Sequence, residues 1–401
     1  MSYTDAQLLD LLAAPESQVL ERKESFDKDK VCKTVCAFAN DLARNRQPGV
    51  LFIGVRDDGT VVGVQADDRL RLSIDQITSD ARIQPLPSVT VRVLSVNGLS
   101  VVAIVVHPSA LPPVRFDGRA WVRMSASNRQ AHREDERVLD EVRRTNAGRP
   151  FDSEAIPSAS VDDLDLRYFK ETYLPSALAP DVLAANGRST EEQLATTRMA
   201  LGIAPCLPTV TGLLTLGLSP QDFLAGAYVQ FIRYAGTEQG SDIEDQEKIT
   251  GTLETMILET ERRLKAHIRT SLRILGVDRE VAAPDYPLAA LQQLFRNAVL
   301  HRTYEGTNAP VRVYWFDDRI EIWNPGGPYG IVTPENFGEP YITDYRNPSI
   351  AEALAHLDFV QRFGFGIQSA RKVLQDNSNP PPEFRVEQGF VLVTVRKRPT
   401  A

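Results

Sequence analysis

The chain has 401 residues, 42% hydrophobic and 24% charged, enough to bury two or three cores. Its net charge of −8 argues against a generic nucleic-acid-coating protein, and no stretch nears the roughly 18 uninterrupted apolar residues of a membrane span. The polar opening Ser2-Tyr3-Thr4-Asp5 is not a secretory signal and three cysteines (Cys32, Cys36, Cys206) are too few for a disulfide framework, so a cytoplasmic protein is expected.

Residues 5–12 form an expected short helix, capped by Thr4, apolar at Leu8, Leu9, Leu11 and Leu12, and ended by Pro15. Two glutamates, Glu16 and Glu21, follow, with Lys23 two residues on. A second helix is expected over about 28–43, containing Ala37-Phe38-Ala39-Asn40, then a β-branched strand over 50–55 that runs into Arg56-Asp57-Asp58-Gly59. Acids at the end of such a strand serve either chemistry or turn geometry. Further strands are expected near 61–64, 89–94, 99–106 and 120–124, and a closing helix over 133–144, giving an α+β domain with a mostly antiparallel sheet.

Charge is spread unevenly. Residues 1–150 hold 21 Lys+Arg against 20 Asp+Glu, whereas 151–401 hold 24 against 33. The cations of the first part cluster, as at Arg22, Lys23, Lys28, Lys30 and Lys33, and again at Arg115, Arg119, Arg123, Arg129 and Arg133. A local basic groove is therefore compatible with an acidic protein; a solvated surface of mixed charge is the alternative.

The pattern Glu16-x4-Glu21-x-Lys23, the Ala-Phe-Ala-Asn run, Ile53-Gly54-Val55-x-Asp57-Asp58-Gly59 and Trp121-Val122-Arg123-Met124-Ser125 together resemble the Schlafen-type AlbA_2 domain, older name divergent AAA, over about residues 10–147. The loop after Asn40 departs from the family, with one glycine where two adjacent ones are usual. By this resemblance Glu16, Glu21 and Asp57 are candidate ligands for Mg²⁺ or Mn²⁺ in phosphodiester cleavage, as in Schlafen-type nucleases that cut tRNA, and Lys23 a candidate phosphate contact. Asp58 is the alternative third acid. Arg22, Arg115 and Arg123 are candidate nucleic-acid contacts, with RNA favoured and DNA possible. Binding without cleavage is the competing expectation, and Asp57-Asp58-Gly59 reads equally as a hairpin turn.

Residues 148–160, rich in Gly, Pro and Ser, read as a linker. A middle segment, 161–278, bridges to the last part of the chain, with expected helices near 164–172 and 191–200, a strand over 226–234 and one long amphipathic helix over about 245–275 with i,i+4 charge pairs such as Glu261 with Lys265. The final segment, 279–401, carries a helix ending in Asn297-x3-His301-Arg302, then Ile320-Glu321-Ile322-Trp323-Asn324-Pro325-Gly326-Gly327, Arg346-Asn347-Pro348 and Arg362-Phe363-Gly364-Phe365-Gly366.

These four motifs in this order resemble the GHKL-like ATP-binding domain that follows AlbA_2 in RecG-like transcriptional regulators. The resemblance implies an α/β sandwich that binds ATP with Mg²⁺: Asn297 as metal ligand through its amide oxygen, Asn324 at the adenine with Gly326 beside it, Gly364 and Gly366 in a phosphate-facing turn, and His301, Arg302 and Arg346 near phosphates or lid. Gln293 stands where the family usually has a glutamate that activates water, so weak or absent hydrolysis is expected. The whole chain then reads as a nucleotide-gated nucleic-acid-binding protein, a homo-oligomer, with endoribonuclease activity in prokaryotic defence or stress. The alternative is an ATP-binding, DNA-binding transcriptional regulator without catalysis.

Overall fold

The computed structural model describes residues 3–65, 68–77, 80–184, 187–275, 279–360 and 364–399. It divides into two compact units, Met1–Arg149 and Pro150–Ala401.

In the first unit, helix α1 (Asp5–Ala13) is capped by the Thr4 side chain, as the sequence predicts. Strand β1 (Leu20–Lys23) leads into α2 (Lys28–Asn40), where the Asp27 side chain accepts from the Lys30 N–H and closes the first turn. Strand β2 (Gly49–Ile53), a short helix α3 (Asp68–Asp75), β3 (Ile83–Gln84), β4 (Val89–Val96), β5 (Leu99–Val106), β6 (Arg115–Phe116), β7 (Arg119–Met124), β8 (Ser127–Gln130) and α4 (Arg133–Asn146) complete it.

Two four-stranded sheets result, ordered β1-β2-β5-β4 and β3-β6-β7-β8. Only β1 and β2 run parallel within the first; β2, β5 and β4 are antiparallel. Strand β2 is apolar throughout because both its faces are covered. Leu51 and Ile53 pack with Val31, Val35 and Phe38 of α2, while Val50 and Phe52 pack with Leu8 and Leu12 of α1. Helix α2 also meets β7, and Asn40 at its end fastens that contact. Its Nδ2 donates to the Val114 and Trp121 carbonyls at 2.9 and 2.8 Å, and its Oδ1 accepts from the Val114 N–H at 2.6 Å. The last residue of the Ala-Phe-Ala-Asn run thus holds helix to strand.

The second unit begins with a 3-10 turn at Phe151–Ser153. Short helices follow: α5 (Leu166–Tyr168), continuing through a π-helical turn (Phe169–Tyr173) into α6 (Leu174–Ala177), then α7 (Pro180–Ala184) and α8 (Thr190–Thr196). Strands β9 (Ala200–Leu201) and β10 (Leu207–Pro208) pair, and the apolar run after them is helix α9 (Val210–Leu216), followed by α10 (Pro220–Phe223). Next come β11 (Val229–Ala235), β12 (Asp242–Ile249), α11 (Leu253–His267), the hairpin β13 (Thr270–Leu275) and β14 (Arg279–Pro284), α12 (Leu288–His301), β15 (Val311–Trp315), β16 (Arg319–Pro325), α13 (Pro348–His356), α14 (Gly366–Asp376), β17 (Glu383–Val386) and β18 (Phe390–Arg396).

One six-stranded sheet, β12-β11-β15-β16-β18-β17, organises this unit, antiparallel except for β11 beside β15. Helices α11, α12 and α14 pack together over it, and Phe231, Val313, Ile322 and Val393 of the sheet share one core with Leu291, Phe295 and Leu374 of the helices. The α+β class expected from the sequence is what the molecule has.

Three sequence expectations differ from the structure. The long helix over 245–275 is instead a strand, a helix and a second strand: Asp245 and Glu247 lie on β12 and are paired with Arg263 of α11 at 2.9 and 2.8 Å. Glu261 pairs across to Arg296 of α12, not along its own helix. The stretch read as a linker is also structured. Asp152, fully buried, accepts from the Ser349 and Ile350 N–H groups at 2.6 and 3.0 Å and so caps α13 from 197 residues away in sequence. Burial pushes its carboxyl up to about 6. The segment expected to bridge two domains supplies β11, β12 and α11 to the same fold as the motifs that follow it.

Candidate nucleotide cavity and nucleic-acid face

A cavity of about 320 Å³ opens in the second unit between α12, the end of β16, the connection from β16 to α13, and the start of α14. It is lined in part by Gln293, Asn297, His301, Asn324, Gly364 and Gly366, so the sequence motifs converge on one place. Helix α12 sets the first three on one face at spacings of four residues. Residues Gln361, Arg362 and Phe363 of the last motif lie outside the described residues.

Asn324 is 5% exposed. Its Nδ2 reaches the Ala298 carbonyl only at 3.4 Å, and its buried Oδ1 has no partner among the described residues. An unpaired buried acceptor is costly, by about 1–3 kcal/mol, unless a ligand donor fills the place. Gly326, at φ 98°, follows at the strand end; a Cβ there would stand 2.5 Å from an Arg346 nitrogen. Gly364, at φ 69°, lets the turn before α14 come within 2.4 Å of Thr343 Oγ1, measured from where its Cβ would be. Behind Gly366, Gln293 Oε1 lies 3.4 Å from the same kind of point.

The candidate charged groups behave differently from one another. His301 stacks on Tyr345 with ring centroids 5.6 Å apart, and burial, aided by the Arg346 charge, holds it down to about 4, so the ring is neutral at pH 7. Arg346 is buried and donates to the His301 and Gly327 carbonyls at 2.9 and 3.1 Å. Arg302, also buried, donates to the Thr303 and Ala309 carbonyls. These two arginines hold the cavity wall together and do not project into it. Tyr345, outside the quoted motifs, and Asn347, quoted with Arg346 but given no role, belong to the same wall: Asn347 Nδ2 donates to the Leu300 and Arg302 carbonyls at 2.7 and 2.8 Å, closing the end of α12. Position next to Arg346 was the available signal.

In the first unit two of the three acids predicted as metal ligands, Glu21 and Glu16, have protein partners. Glu21 is nearly buried; its Oε1 lies 2.6 Å from Lys23 Nζ, and its Oε2 receives Arg123, Asn128 and Thr34 at 2.5, 2.7 and 3.2 Å. Glu16 Oε1 accepts from the Arg22 N–H at 2.7 Å. Asp57 is exposed in the turn that closes the Val55–Val61 bridge, and its carbonyl, not its carboxylate, accepts from Arg22 at 3.4 Å. Asp58 caps the same turn through the Thr60 N–H. Among the described residues, no group of three or more His, Cys, Asp or Glu side chains could hold a metal ion.

The predicted phosphate contacts divide likewise. Arg22 is buried, donating to the Leu12 and Ala14 carbonyls; Arg123 is buried against Glu21 and the Ser17 and Leu20 carbonyls; Arg115 forms a fork with Glu136 at 2.9 Å on both arms. On α2 the Lys30 side chain is 67% exposed, and the half-buried Lys33 has its Nζ 4.7 Å from the Trp121 ring centre on β7; Arg119 and Arg133 are exposed as well. Lys23 at the end of β1 is partly exposed.

Comparison with known proteins agrees with this division. Residues 16–132 match the family model described as Schlafen, AlbA_2, and residues 308–395 match the one described as "Putative ATP-dependent DNA helicase recG C-terminal". No curated protein matches. Among solved structures, the DIP2311 protein from Corynebacterium diphtheriae is similar at 20% identity and a TM-score of 0.48, over 98% of this chain and 80% of that one. The N-terminal domain of a putative ATP-dependent DNA helicase RecG-related protein from Nitrosomonas europaea is similar at 24% identity and a TM-score of 0.24, over 33% of this chain and 95% of that one. Residues 16–132 therefore form a Schlafen-type AlbA_2 domain, and residues 308–395 belong to a domain of the recG C-terminal, ATPase-like type.

Proposed function

We propose that this chain is a nucleic-acid-binding protein whose affinity is set by an adenine nucleotide bound in the second unit. The observation that carries the nucleotide reading is the unpartnered, buried Oδ1 of Asn324 at the wall of the cavity. An exocyclic amine is the donor that would satisfy it, and the cavity volume lies within the usual range for small-molecule sites, about 300–1,000 Å³. Asn297, half-buried on the same wall, would supply an amide oxygen to a Mg²⁺ that arrives with the nucleotide. Mg²⁺ supplies charge neutralisation on the phosphates when bound.

Nucleic acid is taken by the first unit, where Lys30 and Lys33 of α2 offer cations and Trp121 an aromatic face. The resemblance to Schlafen-type proteins favours RNA over DNA. The protein acts as a homo-oligomer in the cytoplasm in this reading. Metal-dependent cleavage has no support in the geometry, since Glu21 and Glu16 already hold Arg123, Lys23 and the Arg22 N–H; the reading is binding without cleavage.

The test is a binding titration of the purified chain with labelled transfer RNA, single-stranded DNA and duplex DNA, with and without ATP and Mg²⁺, with the products run on a gel. Affinity for RNA that shifts severalfold on adding ATP supports the proposal. Nucleic-acid affinity indifferent to ATP removes the gating, and Mg²⁺-dependent shortening of the RNA overturns binding without cleavage.

A further inference from the structure

We infer that the face of the six-stranded sheet turned away from its helices is a second contact surface for nucleic acid, one that takes single strands by stacking. Successive residues of a strand point to opposite faces, and Phe231, Val313, Ile322 and Val393 turn one face of this sheet toward α11, α12 and α14. Their neighbours Gln230, Arg312, Trp323 and Leu392 therefore stand on the other. Strand register extends that set into one row across all six strands: Lys248 of β12, Gln230 of β11, Arg312 of β15, Trp323 of β16, Leu392 of β18 and Arg385 of β17.

Cations and rings alternate along the row. Lys248 Nζ lies 4.6 Å from the Tyr228 ring centre, and the Arg312 guanidinium lies 4.3 Å from that of Trp323. Trp323 in turn stacks on Phe390 with centroids 6.0 Å apart, and the Arg385 guanidinium stands 5.3 Å from the Phe390 ring centre. Lys248 and Arg385 are exposed; Tyr228, Arg312, Trp323 and Phe390 are partly exposed. Glu321 and Glu383, one row away, are matched by Arg319 and Arg396 at 2.6 Å each. Glu387 meets Arg385 at 3.1 Å, an exposed pair that a phosphate can replace at little cost.

Charge and shape together name the occupant. Adjacent strands lie about 4.8 Å apart, so the row runs roughly 24 Å, a span suited to a short stretch of about four nucleotides or more. Aromatic rings take bases of any sequence by stacking, and the cations between them take the phosphates. A duplex keeps its bases stacked inside and has none to offer the rings. A second copy seated face to face here would bury three cations against three others, which is costly without counter-charges.

Fluorescence anisotropy of the full chain with a labelled short single strand, and with the duplex of the same sequence, tests this. Trp323→Leu with Phe390→Leu should weaken single-strand binding by about tenfold or more and leave duplex binding unchanged. Lys248→Gln, Arg312→Gln and Arg385→Gln together should lower the single-strand slope of log K against log salt by about 2. Because the ring variant alters packing, ultraviolet crosslinking of the wild type to the strand carrying bromouracil gives a second readout, with adducts expected at Trp323 and Phe390. Adducts confined to the first unit, or an unchanged slope in the cation variant, overturn the inference while the nucleic-acid reading of the first unit stands. Equal losses on strand and duplex overturn the stacking, and variants that change the sedimentation coefficient but not strand binding make the face a contact between copies. Failure of the wild type to bind any nucleic acid overturns both readings.

Discussion

The guanidinium of Arg123 lies 2.5 Å from Glu21 Oε2, with side-chain exposures of 2% and 5%, and joins β7 to the end of β1 across 102 residues of sequence. Around it Arg123 also holds the Ser17 and Leu20 carbonyls, so one side chain fastens the strand edge from which the acidic pattern springs. A carboxylate in that position is part of the fold.

Replacing Glu21 with Gln should accordingly act on stability first. Removing one partner of a buried pair leaves the other charge uncompensated, which costs about 3–5 kcal/mol in well-buried cases. Thermal unfolding of Glu21→Gln should show a clearly lowered transition for the first unit, the same with Mg²⁺ as with EDTA. A variant that melts as the wild type does, but loses a metal-dependent rise in Tm, would restore Glu21 as a metal ligand.

Lys30 and Lys33 of α2 should carry salt-dependent binding. Lys30→Ala combined with Lys33→Ala should lower the slope of log K against log salt by about 1 to 2, since each phosphate contact contributes just under one unit for duplex and less for single strands. Arg115→Ala should leave the slope unchanged, because its fork is occupied by Glu136. Fluorescence anisotropy at several salt concentrations measures both, and the reverse ranking would move the interface.

Gln293→Glu should raise ATP hydrolysis. The glutamine amide next to Gly366 cannot accept a proton at neutral pH, whereas a carboxylate there would, and general-base catalysis contributes about 10² to 10⁴ in rate. Phosphate release by wild type, Gln293→Glu and Asn297→Ala is the measurement. Rapid turnover by the wild type would show that another group activates water.

His301 gives the second unit an acid sensitivity of predictable sign. Its folded value of about 4 lies below the ordinary histidine value near 6.5, so between those two pH values the unfolded chain binds more protons. Stability from this group is complete above about pH 6.5 and is lost as pH falls toward 4, at no more than about 1.4 kcal/mol per pH unit. Urea unfolding at pH 7.5, 6 and 5 should show His301→Phe losing less stability on acidification than the wild type. Parallel losses in the two proteins would place the sensitivity elsewhere.

What the sequence made legible was local. The Thr4 cap, the apolar faces of α2 and α12, the strand over residues 50–53 and the order of the glycine and asparagine motifs all follow from spacing along the chain. Strand β12 was hidden because Asp-Ile-Glu-Asp-Gln-Glu has few strand-forming residues; its partner β11 and the Arg263 pairs make it a strand, and both are tertiary. Arg22, Arg123, Arg302 and Arg346 looked like phosphate ligands because a guanidinium in a motif carries no sign of whether distant carbonyls will surround it. Asp152 was invisible for the same reason: nothing near it in sequence indicates the start of α13 as its partner.

The six-stranded sheet also separates the unit of inheritance from the unit of folding. A fragment cut at residues 308–395 would keep β15 to β18 yet remove β11, the parallel neighbour of β15, together with α12 and its Asn297 and His301. Such a piece would expose the bare backbone edge of β15 and half of an apolar core, conditions that lead to edge-to-edge association. Excision from Pro150 onward keeps both the sheet and the Asp152 cap, and that is where a biochemist wishing to study the nucleotide site in isolation should cut.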